Sequence, residues 1–83
     1  MSAVSREQLR ALMGEVLAQQ GKTLPEGDDA LLSDIGFRSL DFSELALRVE
    51  DELDDELNFD AAGLRQINTV GDVLDLLTEI QAA

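Results

Sequence analysis

Leu9, Leu12, Met13, Val16 and Leu17 recur at i, i+3, i+4, i+7 and i+8, the spacing that gathers apolar side chains on one stripe of an α-helix. Ser5 and Gln8 stand three apart just ahead of that stripe, as in a capping box. The pattern predicts a first helix from about Arg6 to Gln20. Gly21 is placed to end it in a left-handed conformation, and Gly14 inside it costs about 1 kcal/mol relative to alanine. A second stripe begins at Ser39: Leu40, Leu45, Val49 and Leu53, with Phe42 and Ala46 beside them. Asp41, Glu44, Glu50, Asp51, Asp54 and Asp55 are left to form an acidic surface. This second helix is expected to end between Leu53 and Leu57. Thr69-Val70-Gly71-Asp72 repeats the capping logic, and Val70, Val73, Leu74, Leu77 and Ile80 form the stripe of a last helix from about Val70 to Gln81.

Between these elements, Gly21 to Arg38 holds the only proline, three glycines and Asp28-Asp29, and reads as a long loop. Such a length is unusual in a small domain unless the loop is functional or internally packed. Leu24, Leu31, Leu32 and Ile35 are the residues expected to pin it to the core. A further short turn of helix is expected at Asp60 to Gln66, interrupted by Gly63. No internal repeat and no alternation of period two is visible. The expected fold class is all-α, a small four-helix bundle of three main helices and one short one, with residues 1–83 forming a single domain.

Composition narrows what such a bundle can do. The chain has 83 residues, no cysteine and no histidine. Disulfides, thiolate metal sites and a serine-histidine-aspartate triad are therefore excluded. Eighteen acidic residues against six basic ones give a formal charge of −12, a field that repels phosphate backbones and anionic lipid. Nucleic-acid and membrane binding are disfavoured, and a protein partner with a basic patch is expected. Met1 is followed by polar Ser2, and no run approaches the ~18 apolar residues of a membrane span. A soluble, cytoplasmic monomer is expected. Eight of the eighteen carboxylates lie between Asp41 and Glu56. They lack the Asp-x-Asp-x-Asp-Gly spacing of a calcium loop, so no metal site is assigned.

Ser39 is the residue that most needs explaining. A serine opening a helix is ordinarily an N-cap, contributing about 1 kcal/mol. Gly36-Phe37-Arg38-Ser39-Leu40 lacks the Gly-x-Ser-x-Gly spacing of a hydrolase elbow, and no imidazole can activate the hydroxyl. No catalytic residue is assigned.

The run Ile35-Gly36-Phe37-Arg38-Ser39-Leu40-Asp41-Phe42-Ser43-Glu44-Leu45 resembles the modification site of the acyl carrier proteins, where a Leu-Gly, two variable positions and Ser-Leu lead into an acidic helix. Arg48-Val49-Glu50-Asp51-Glu52-Leu53 and Ile67-Asn68-Thr69-Val70-Gly71-Asp72-Val73 are similar to later parts of the same family. The resemblance implies a non-enzymatic carrier on which Ser39 bears a 4′-phosphopantetheine arm, attached as a phosphodiester by a separate phosphopantetheinyl transferase. The arm's thiol would hold acyl or polyketide intermediates as thioesters. An acyl-loading enzyme or ligase and a ketosynthase or similar acyl-processing enzyme with a basic patch would be its partners. The family's contact positions fall on Leu40, Ser43, Glu44, Leu47, Glu50 and Asp51, with Arg38 and Asp41 adjoining them. Leu47, off the main stripe, is the expected apolar anchor.

Many family members have aspartate before the serine, whereas this chain has Arg38. That cation could pair with the phosphodiester or alter which transferase is accepted. It inclines the reading towards polyketide or other secondary metabolism over fatty-acid synthesis. The reading from another class is an unmodified acidic helical interaction module.

Overall fold

The computed structural model describes residues 3–54, 56–57 and 65–82, the side chain of residue 82 excepted. Among these, four helices follow in order: α1 (Arg6–Ala18), α2 (Leu32–Ile35), α3 (Ser39–Leu53) and α4 (Val70–Ala82). No strand accompanies them; Leu31 and Thr69 form one isolated antiparallel bridge. The all-α expectation holds. The short turn expected at Asp60 to Gln66 lies, up to Leu64, outside the described residues.

α1 packs on both α3 and α4. Leu9, Met13, Val16 and Leu17 of α1, Phe42, Leu45, Ala46 and Val49 of α3, and Val70, Val73, Leu74 and Leu77 of α4 are buried together. Each set is one stripe of an amphipathic helix, and three short stripes remain helical in water by covering one another. Local chemistry marks the ends. Ser5 Oγ accepts the Gln8 N–H at 3.1 Å and Gln8 Oε1 accepts the Ser5 N–H at 2.9 Å, completing the capping box. At α4, Thr69 Oγ1 accepts the Asp72 N–H at 3.2 Å, while Asp72 accepts those of Asn68 and Thr69 at 2.9 and 3.1 Å. Gly21 takes the left-handed conformation expected of it, although α1 itself ends at Ala18.

The stretch from Gly21 to Arg38 is not loop throughout. It contains α2, four residues long, which Leu32 and Ile35 turn inward at a spacing of three. A single turn is too short to show a period in sequence. Leu24 and Ile35 pack on the core and Leu32 is buried. Leu31, expected to do the same, is 46% exposed. Its neighbourhood is held by backbone instead: Leu32 N–H donates to Asn68 O at 2.9 Å, Val70 N–H to Ala30 O at 3.0 Å and Gly71 N–H to Asp28 O at 2.8 Å. The loop's outer end is tied to α1, where Arg6 and Arg10 both grip Asp28 and Arg6 also reaches Asp75 on α4.

No helix among the described residues is long and apolar enough to cross a membrane.

Candidate functional site

Ser39 sits where the connecting segment becomes α3, and the turn before it follows from its residues. Gly36 ends α2 at φ 73°, a left-handed conformation that glycine adopts without strain. The Phe37 N–H donates to Leu32 O at 3.0 Å, and the Phe37 side chain is buried. Arg38 is extended, and the helix starts at the next residue. Phe37 and Phe42 anchor the segment on either side of Ser39, which stays exposed.

Ser39 is not the N-cap expected from its position. Arg38 occupies that place and Ser39 is the first helical residue. A guanidinium has no acceptor, so Arg38 cannot cap the helix with its side chain. The return half of the box is made instead: Asp41 Oδ2 accepts the Arg38 N–H at 2.8 Å. Asp41 Oδ1 accepts from Gln20 Nε2. With both oxygens engaged and 8% of the residue exposed, Asp41 belongs to the interior edge of the helix start. The expectation that it lies on the acidic surface is corrected on that ground.

The Ser39 hydroxyl makes no hydrogen bond among the described residues, while its carbonyl accepts from Ser43 Oγ at 3.3 Å. An exposed, unspent hydroxyl thus stands in the first turn of a 15-residue helix, where unpaired N–H groups and the helix dipole favour an anion. Ser39, Arg38 and Ser33 line the outer part of a cleft of about 480 Å³, and the buried Leu32, Phe37 and Phe42 with the half-buried Ile67 line the inner part. Among the described residues, no group of three or more carboxylates could hold a metal ion.

The outward face of α3 is acidic with two apolar interruptions. Leu40 is 83% exposed and Leu47 58% exposed. Leu40 was expected to join the buried stripe; it projects from the first turn, away from the core. Glu44 and Asp51 are exposed and share that face by spacing. Ser43 is exposed beside them, and Glu44 pairs with Arg48 Nε at 3.5 Å. Glu50 stands apart: half buried, its Oε2 accepts the Leu57 N–H at 2.8 Å and so closes the chain after α3.

Gln20 and Lys22 were not singled out from sequence, yet they reach the Ser39 turn. Lys22 Nζ donates to Gly36 O at 2.9 Å and to Gln20 Oε1 at 3.1 Å. Lys22 lies 14 residues from Gly36 and Gln20 lies 21 from Asp41, and no local spacing signals such contacts.

The sequence matches no protein-family model and no curated protein. Among solved structures, the chain is similar to an acyl carrier protein from Thermotoga maritima, determined as a crystal structure at 2.00 Å resolution. The two share 25% sequence identity and superpose with a TM-score of 0.69, over 93% of this chain and 91% of that one.

Proposed function

With the acyl carrier protein family supported by a likeness in fold over 93% of the chain, we propose that this protein is a discrete, non-catalytic carrier of acyl groups modified at Ser39. The observation that carries the reading is the exposed Ser39 hydroxyl, without a hydrogen bond among the described residues and set at the first residue of α3. A phosphopantetheinyl transferase supplies the base that the chain lacks. The Ser39 oxygen bonds to the phosphorus bearing the pantetheine arm of coenzyme A, the bond from that phosphorus to adenosine 3′,5′-bisphosphate breaks, and the serine proton passes to the transferase. The new phosphodiester lies at the positive end of the α3 dipole. The arm provides the thiol that a chain without cysteine lacks.

The exposed face bearing Leu40, Glu44, Leu47 and Asp51 is the proposed docking surface for the transferase, for the acyl-loading enzyme and for a ketosynthase or similar partner with a basic patch. Arg38 favours a carrier of polyketide or other secondary metabolism over one of fatty-acid synthesis, since it replaces the usual acidic residue beside the attachment serine. Residues 1–83 act as one cytoplasmic carrier unit in this reading.

Incubation with coenzyme A and a broad-specificity transferase, followed by intact mass, tests it. One phosphopantetheine addition is expected, lost in Ser39→Ala. No addition with any transferase would favour an unmodified acidic module that only binds a partner.

A further inference from the structure

Burial of Phe37 and Phe42 sets how deep the Ser39 turn sits, but apolar packing is non-directional and leaves its orientation loosely specified. Hydrogen bonds are directional, and the turn has a set of them from outside α3. Lys22 Nζ holds the Gly36 carbonyl at 2.9 Å and Gln20 Oε1 at 3.1 Å. Gln20 Nε2 donates to one oxygen of Asp41, whose other oxygen accepts the Arg38 N–H at 2.8 Å. The path from Gly36 through Lys22, Gln20 and Asp41 to Arg38 closes on residues either side of Phe37 and immediately before Ser39. The serine hydroxyl takes no part in it. The segment just after α1 thereby fixes the serine's turn without consuming the serine.

We propose that Gln20 and Lys22 are positioning residues for phosphopantetheine transfer to Ser39. The inference rests on the carrier reading above. Neither side chain touches the reacting atoms. They hold the Gly36 to Arg38 segment in the orientation from which the Ser39 oxygen attacks, and a displacement of about 1 Å in such a geometry can cost up to about a hundredfold in rate. Their contribution falls on turnover, because the exposed α3 face that would meet the transferase lies elsewhere.

Transferase kinetics on the full chain test the proposal, comparing wild type, Gln20→Ala, Lys22→Met and the double exchange Gln20→Glu with Asp41→Asn. The exchange keeps a bond between the two side chains with donor and acceptor reversed. Gln20→Ala and Lys22→Met are expected to lower kcat about tenfold at unchanged KM, with helical circular dichroism intact at the assay temperature. The exchange is expected to restore most of the loss. Gln20→Ala and Lys22→Met variants that fold and keep wild-type kcat, or that change KM alone, would overturn the proposal while leaving the carrier reading in place. If Gln20→Ala does not fold, Lys22→Met decides by the same criterion, and an exchange as slow as Lys22→Met also overturns the proposal. A wild-type chain that accepts the arm from no transferase overturns the carrier reading, and this inference with it.

Discussion

The backbone N–H of Gly71 donates to the carbonyl oxygen of Asp28 across 2.8 Å, and a Cβ placed on Gly71 would stand 3.2 Å from both that oxygen and the Asp28 Cβ. The loop backbone therefore lies directly against the first turn of α4. Gly71→Val should cost about 1–3 kcal/mol, because a branched side chain would push the loop from its hydrogen bonds. Gly14→Ala is the contrasting case. Its Cβ would meet only Leu24 Cδ2 at 4.0 Å, an ordinary contact, so the helix should gain up to about 1 kcal/mol. Denaturant midpoints of the two variants, moving in opposite directions, check both statements.

Capping by Asp41 rather than Ser39 separates modification from stability. Ser39→Ala should abolish the arm's attachment yet leave stability within about 0.5 kcal/mol of wild type. Asp41→Ala should cost about 1–2 kcal/mol, since it strips the Arg38 N–H and the Gln20 amide of their acceptor. Urea titrations of the two variants, beside intact-mass assays, would show the split. A destabilised Ser39→Ala would return the cap to Ser39.

Arg38 is exposed beside Ser39, and its side chain forms no ion pair among the described residues. Arg38→Asp puts an acceptor at the N-cap of α3 and should not lower the melting temperature; a gain of up to about 4–8 °C is expected. Its effect should appear in the relative modification rates given by transferases from different pathways. Equal rates across them, with a large loss of stability, would mean that Arg38 serves the fold alone.

Asp72 is held below the ordinary carboxylate value of 3.8 by the backbone N–H groups of Asn68 and Thr69. Asp28 is held below it by the guanidinium groups of Arg10 and Arg6. A lowered folded-state pKa means stability that is present above the unfolded value and lost as pH falls through the folded one. The melting-temperature gap between wild type and Asp72→Ala should thus be full at neutral pH and close below about pH 4. Asp28→Ala should behave alike with pH, but its gap should also shrink in high salt, because its partners are charged and Asp28 itself is exposed. Between about pH 6 and 8 the curves should be flat, as a chain without histidine or cysteine has no side chain that ordinarily titrates there. Thermal melts across pH and ionic strength check each of these.

Residues within one helical turn of each other were legible without coordinates. The stripe from Leu9 to Leu17, the Ser5–Gln8 box and the Thr69–Asp72 box all depend on spacings of three or four, which backbone geometry converts directly into contact. Ser39 could be found at a helix start for the same reason. Its distinction from an N-cap could not, because moving a helix start by one residue changes no period.

Sequence alone determined the all-helical class, the three main helices and the serine that opens the third, since periodicity and capping are local consequences of a 3.6-residue turn. Tertiary structure decided which edge of each stripe is covered. Leu40 lies outside the shelter of α1, whereas Asp41, one residue on, is drawn inward by Gln20 and the Arg38 backbone. It also decided the long-range ties of Lys22 to Gly36 and of Asp28 to Gly71. A helical period specifies the direction in which a side chain leaves its axis, but only the neighbouring chain determines whether it meets protein or water there.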